Sequence, residues 1–298
     1  MTPRDRVINT IYHRASAPIP TLLSIPRDVE RARREECDEL RRRFASEVDF
    51  LDYRFSSLDG GEKAYVSDAW GCFWKKTPAG FAPETDSPLL NDCGELRRLE
   101  IPEFFAGEGI KTEISEFCDR NPRFVVLQPD IRPLSRLLAI LGREETLSAI
   151  VQKSSAVCGF LKRLHEAYLA ELRAWCETDV DAVCIGDDWA EESGPFIPAK
   201  VWEEIFLPMM WDYAELLHKN DKFAYFTSSG DIQAYLPAVI AAGVDVVRVR
   251  DSQMNTSRAV SGYGSQTAFH VVMDDFLNEK PASEAISERI LAIRRSAG

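Results

Sequence analysis

A chain of 298 residues with 45% hydrophobic and 28% charged side chains is long enough for one large α/β domain. Its net charge of −12 removes long-range attraction to nucleic acid or anionic lipid as an organising force. No apolar run approaches the ~20 residues that cross a bilayer, and the opening Met1–Asp5 has no apolar signal core.

The seven cysteines are scattered and form no CxxC pair, which suits reduced thiols in a cytoplasmic protein better than a disulfide framework or a zinc knuckle.

In chain order, short apolar runs at Thr21–Ile25, Asp49–Phe55, Phe124–Leu127, Val180–Ile185, Phe223–Thr227, Val244–Arg250 and Ala268–Met273 predict buried strands. Helical stretches separate them. The clearest is Ser154–Cys176, where Val157, Phe160, Leu161, Leu164, Tyr168, Leu172 and Trp175 recur on one face. Ile232–Ala242 predicts another, closed by Gly243.

Strand–helix alternation implies parallel strands with right-handed crossovers. No GxGxxG follows the first run, and seven candidate strands favour a (β/α) barrel over a doubly wound sheet. Lys63–Glu84 interrupts the alternation with Trp70, Phe73, Trp74 and Phe81 around Gly71 and Pro78-Ala79-Gly80, a pattern that predicts an inserted β-hairpin. No linker or repeat divides residues 1–298, so one domain is expected.

In a parallel barrel, reactive groups gather where strands end at the C-terminal face. The run at 180–185 ends in Gly186-Asp187-Asp188-Trp189. Asp187 or Asp188 would serve there as general acid/base or polar clamp; otherwise one caps a loop and the other faces solvent. Trp189 would adjoin substrate.

The next run ends in Thr227-Ser228-Ser229-Gly230-Asp231; its small hydroxyl residues Ser228 and Ser229 with Gly230 suit an anion at a helix N-terminus, and the alternative is plain N-capping by Ser229 or Asp231. Arg248 and Arg250 share one face of their strand, suited to a carboxylate ligand or to solvent, with Asp251 placed to fix one of them. Arg132, after the run at 124–127, and Asp274, after the last run, complete the candidate ligand-binding set. His270 is the one histidine inside a strand run.

Several segments resemble the uroporphyrinogen decarboxylase-like family. They are Thr2-Pro3-Arg4-Asp5-Arg6-Val7, Asp68-Ala69-Trp70-Gly71-Cys72, Ile185-Gly186-Asp187-Asp188-Trp189 through Gly194-Pro195-Phe196-Ile197, Ser229-Gly230-Asp231-Ile232 and Gly243-Val244-Asp245-Val246. The resemblance implies a (β/α)8 barrel with a ligand cleft at its mouth. It is closer to the corrinoid-linked methyltransferase branch than to the tetrapyrrole decarboxylases, because Pro26-Arg27-Asp28-Val29 stands where the latter carry an arginine- and glycine-bearing motif.

In the methyltransferase branch a His and a Cys flanking one residue bind zinc, whereas here those positions are Thr227 and Ser229, neither a good zinc ligand. The resemblance also places an eighth strand and a final helix beyond Arg294-Arg295, where this sequence has three residues more, so a barrel short of one stave is expected.

The resulting expectation is a zinc-free methyltransferase component acting on a small anionic methylated compound. No tightly bound cofactor is expected; a separate corrinoid protein would present the corrinoid, and the chain would form a homodimer. The alternatives are tetrapyrrole decarboxylation and a non-catalytic binding paralogue of the fold.

Overall fold

A computed structural model describes residues 1–14, 18–25, 27–53, 64–77, 80–103, 107–273 and 283–296. Its centre is a six-stranded parallel sheet: β1 Val48–Asp52, β2 Phe124–Gln128, β3 Ala182–Cys184, β4 Phe223–Thr227, β5 Val246–Arg250 and β6 Ala268–Val272. The spatial order is the chain order, 1-2-3-4-5-6. A doubly wound sheet reverses direction at a switch point; this one never does, so it winds one way as a barrel does.

The curl is visible in the side chains. Phe50 of β1 and His270 of β6, on the two outermost strands, bring their rings to 6.1 Å across the concave side.

Strand alternation sorts the core into two parts. Val48, Phe124, Val126, Ala182, Cys184, Tyr225 and Val246 pack inside the curl, where Val7 and Ile11 of the first helix, Pro3–Ile11, join them. That helix is started by a capping box between Thr2 and Asp5 and plugs the N-terminal end of the lumen. Val125, Leu127, Val183, Ile185, Ala224, Phe226 and Val247 belong to the larger outer core, with the helices Pro133–Leu141, Ser155–Cys176 and Leu207–Lys219. β2 is buried at all five positions, as a strand covered on both faces must be.

Three expectations need correction. Thr21–Ile25 forms no strand. The Thr21 amide donates to the Glu47 side chain at 2.9 Å and the Leu23 amide to Ser46 Oγ at 3.0 Å, so side chains before β1 take donors that a ladder would have used. The described sheet therefore has six strands where seven were expected. The inserted hairpin is a three-stranded antiparallel ribbon, Tyr65–Ser67, Phe73–Thr77 and Gly80–Pro83. The helix expected over 232–242 is shorter, Leu236–Ala241, because a turn occupies 233–235; Gly243 does follow it, at φ +90°. No helix among the described residues is long and apolar enough to cross a membrane.

The ribbon is fixed to the barrel by buried charge. Asp68 accepts from the amides of Trp70 (2.9 Å) and Cys72 (3.0 Å) and from Trp74 Nε1 (2.7 Å). It also pairs with Arg136, which is 3% exposed and donates to Asp130 at 2.9 Å. The Arg136 guanidinium lies 4.8 Å from the Trp70 ring centroid and 5.2 Å from that of Trp74. An arginine so deep is tolerable only because two carboxylates and two aromatic faces replace its water.

Candidate functional site

A cleft of about 740 Å³ opens at the C-terminal ends of β3 and β4. Asp188 and Glu191 come to it from the β3 loop, Ser229 and Gly230 from the β4 loop, Gln253 from the β5 loop, and Pro83 from the ribbon. Two glycines allow these loops to touch. A Cβ on Gly186 would sit 2.2 Å from the Thr227 carbonyl oxygen, and one on Gly230, at φ +74°, the same distance from that of Ala190. The segment GDDWA and the segment TSSG are thus packed backbone against backbone.

The two adjacent aspartates separate. Asp188 is exposed, lines the cleft, and accepts the Ser229 amide at 3.2 Å. Asp187 is 2% exposed and turns toward the helix Pro133–Leu141. It accepts from the amides of Leu134 (2.5 Å), Ser135 (3.0 Å) and Asp188 (2.8 Å) and from the Ser135 hydroxyl. The Leu134 and Ser135 amides are orphan donors of the helix's first turn, which has no cap from its own Arg132. Burial pushes the Asp187 carboxyl up to about 7, against the opposing pull of Ser135 and Arg132. Asp187 is therefore a helix cap supplied from another strand, and Asp188 is the carboxylate that the cleft offers.

Other candidates also divide. Trp189 does not reach the cleft: it is fully buried, its ring 4.7 Å from Phe206 and 5.6 Å from Trp202. Arg132 is 8% exposed, donates to Asp130 at 2.6 and 2.8 Å, and lies 5.0 Å from the Trp74 centroid, so it serves the ribbon anchor rather than a ligand. Ser228 is a loop staple, accepting the Trp189 amide at 3.1 Å and donating to the Ser229 carbonyl at 2.9 Å. Ser229 is at the cleft, but no helix begins there; the next starts at Leu236, so neither the helix-terminal anion seat nor N-capping applies.

Asp251 accepts two hydrogen bonds from Arg289, both at 2.6 Å, and one from Thr256. Burial works to raise its carboxyl, and those partners outweigh it and hold it below the ordinary value. Its partner is thus the C-terminal helix Ser283–Ser296, not a strand-end arginine. Asp274 lies outside the described residues.

Arg248 and Arg250 do share the lumen side of β5. The Arg248 guanidinium stands 5.3 Å from the Phe50 centroid. Beside it, the Tyr225 hydroxyl hydrogen-bonds His270 Nδ1, and the Phe50 and Tyr225 rings meet edge-on at 5.6 Å. Burial, with Arg248 adding to it, pushes His270 down to about 3, so the imidazole is neutral. Tyr225 is the lumen residue that sequence reasoning missed; a tyrosine in a strand run looks like any core aromatic until its partner on another strand is known. His270 was visible as the one strand histidine.

The uroporphyrinogen decarboxylase family model matches residues 131–273, which carry the β3, β4 and β5 loops of the cleft. No curated protein matches the chain in sequence. Among solved structures, a methyltransferase from Methanosarcina mazei has a similar fold: TM-score 0.73 at 11% identity, covering 99% of this chain and 90% of that one. The half-barrel with its cleft at the strand ends is thus similar to the uroporphyrinogen decarboxylase superfamily over residues 131–273, and it shares its fold with a solved barrel along nearly its whole length.

Proposed function

We propose that the protein is a methyltransferase of this superfamily, the component of a corrinoid-dependent system that takes a methyl group from a small anionic compound. The observation that carries the reading is an exposed carboxylate, Asp188, lining the cleft at the strand ends of a barrel whose lumen side carries an arginine, Arg248. One end of a small substrate is held by charge while the other meets an acid–base group. The fold shared with the M. mazei methyltransferase supports methyl transfer as the reaction class.

The cleft lining favours this over tetrapyrrole decarboxylation. Among the described residues, Asp188, Glu191 and Glu192 face it against Arg143 alone, which is itself paired with Glu191 at 2.7 Å. A substrate bearing many carboxylates would be repelled at such an entrance.

In this reading the substrate's methyl–heteroatom bond breaks with both electrons remaining on the heteroatom, and Asp188 is the residue placed to hold or pass the proton that the heteroatom gains. Ser229, whose amide orients Asp188, lines the same wall. A corrinoid, presented by a separate protein docked over the mouth, would supply the nucleophile. A thiol-activating zinc has no fitting donors at Thr227 and Ser229, and no three His, Cys or carboxylate side chains converge among the described residues, so no step is routed through it. A second copy of the chain is the other proposed partner.

The test is incubation with cob(I)alamin and a panel of small methoxylated and N-methylated acids, following the methylcobalamin spectrum. Saturable methyl transfer that falls at least tenfold in Asp188→Asn is expected, with no zinc at stoichiometric level by elemental analysis. Absence of transfer from every member of the panel, or zinc at about one per chain, would overturn the reading.

A further inference from the structure

We propose that the barrel lumen behind the cleft is a carboxylate seat in which His270 donates through Nε2–H beside Arg248, with Tyr225 selecting the imidazole tautomer. The proposal deepens the functional reading above and rests on it for the identity of the substrate's anionic end.

The lumen residues lie in two adjacent layers on three neighbouring strands. Arg248 on β5 is the Cα partner of His270 on β6, and Val246, two residues before it, is the partner of Tyr225 on β4. All three side chains share the concave side, where Tyr225 reaches past β5 to His270 Nδ1. A neutral imidazole donates at one nitrogen and accepts at the other. The phenol donates its single proton to Nδ1, which leaves the ring proton on Nε2. The cluster then presents donors: Nε2–H from His270 and the guanidinium of Arg248, which has no acceptor atom.

A separate observation points the same way. Gln128 on β2 falls on the lumen side by strand alternation, is 4% exposed, and its buried Nε2 has no hydrogen-bond partner. Buried amide donors are rarely left so, and one in a polar lumen asks for an acceptor. Two lumen-side carboxyl or guanidinium groups stand nearer the rim, Asp52 on β1 and Arg250 on β5. The Phe50 ring packs against Arg248, His270 and Tyr225, keeping bulk water from one side of the cluster. Arg248 and His270 each keep part of their surface exposed. Donors converging from separate strands over an aromatic wall suit a compact oxyanion, not a cation or an apolar group.

The experiment uses the full chain labelled with 15N-histidine. Two-bond 15N–1H spectra of His270 should show the Nε2–H tautomer at neutral pH, and Tyr225→Phe should turn it into a mixture. Acetate should produce a saturable shift at His270 Nε2, with chloride at matched ionic strength as the control and inorganic phosphate as a second arm. Arg248→Gln should weaken acetate binding roughly tenfold or more, the effect of one charge-assisted hydrogen bond. If that variant fails to fold, His270→Gln, which keeps an N–H donor, should bind acetate more tightly than His270→Phe by calorimetry.

No saturable shift with acetate, an Nδ1–H tautomer, or equal binding by His270→Gln and His270→Phe would overturn the proposal. So would binding of phosphate alone. Because no turnover is read, a seat that binds acetate in a protein that transfers no methyl group would sink the functional reading and leave the seat standing.

Discussion

Asp187 and Asp188 are bonded neighbours that face opposite ways: the first closes the N-terminal turn of Pro133–Leu141, and the second stands in the cleft on the amide of Ser229. The first is placed for stability, and the proposed function assigns the second to the site. Asp188→Asn should cut turnover or ligand binding and shift the melting temperature little. Asp187→Ala should lose about 1–3 kcal/mol, since it leaves several buried N–H donors without an acceptor. Urea melts and activity measured on both variants check this; a stable Asp187→Ala with reduced activity would reverse the assignment.

The ribbon anchor makes its own prediction. Asp68 holds Arg136, two backbone amides and the Trp74 indole at once. Asp68→Ala should cost roughly 3–5 kcal/mol, the usual penalty for stranding one partner of a buried ion pair. Tryptophan fluorescence should also shift to the red as Trp70 and Trp74 gain water. A melt unchanged by the substitution would show that Asp130 alone is enough for Arg136.

Gly230→Ala should damage the cleft more than an ordinary loop substitution. The new Cβ meets the Ala190 carbonyl oxygen at 2.2 Å, and φ +74° is disfavoured for any residue with a side chain. The expected result is a lower melting temperature together with weakened ligand binding, because the β3 and β4 loops are forced apart. A crystal structure with the loops unmoved would contradict it.

His270 should leave a mark on the acid limb of the stability curve. Its native value, about 3, lies below the ordinary 6.5, so the unfolded chain binds the extra proton between those values. Stability from this group is present above pH ~6.5 and is lost as pH falls toward ~3, by up to ~1.4 kcal/mol per pH unit. Urea melts at pH 7 and pH 5 should show a smaller loss in His270→Gln than in the parent chain. Equal losses would mean that the imidazole is already charged in the folded protein.

Strand–helix alternation and the one-way order of a barrel were legible along the chain, because period-two and period-3.6 patterns report local geometry directly. So was the sharing of one strand face by Arg248 and Arg250, and the resemblance to the family whose model matches residues 131–273. Thr21–Ile25 has the apolar pattern of a strand and forms none: whether a run joins a ladder depends on who takes its amides, and here Glu47 and Ser46 do.

The same kind of fact separated Asp187 from Asp188 and sent Trp189, Arg132 and Asp251 away from the cleft to Phe206, Asp130 and Arg289. It also joined Tyr225 to His270 across 45 residues of chain. Composition and spacing state what each residue can bond. Only the tertiary structure decides which of several competent partners reaches it first, because those partners lie on other strands and helices, at distances in sequence that no local pattern records.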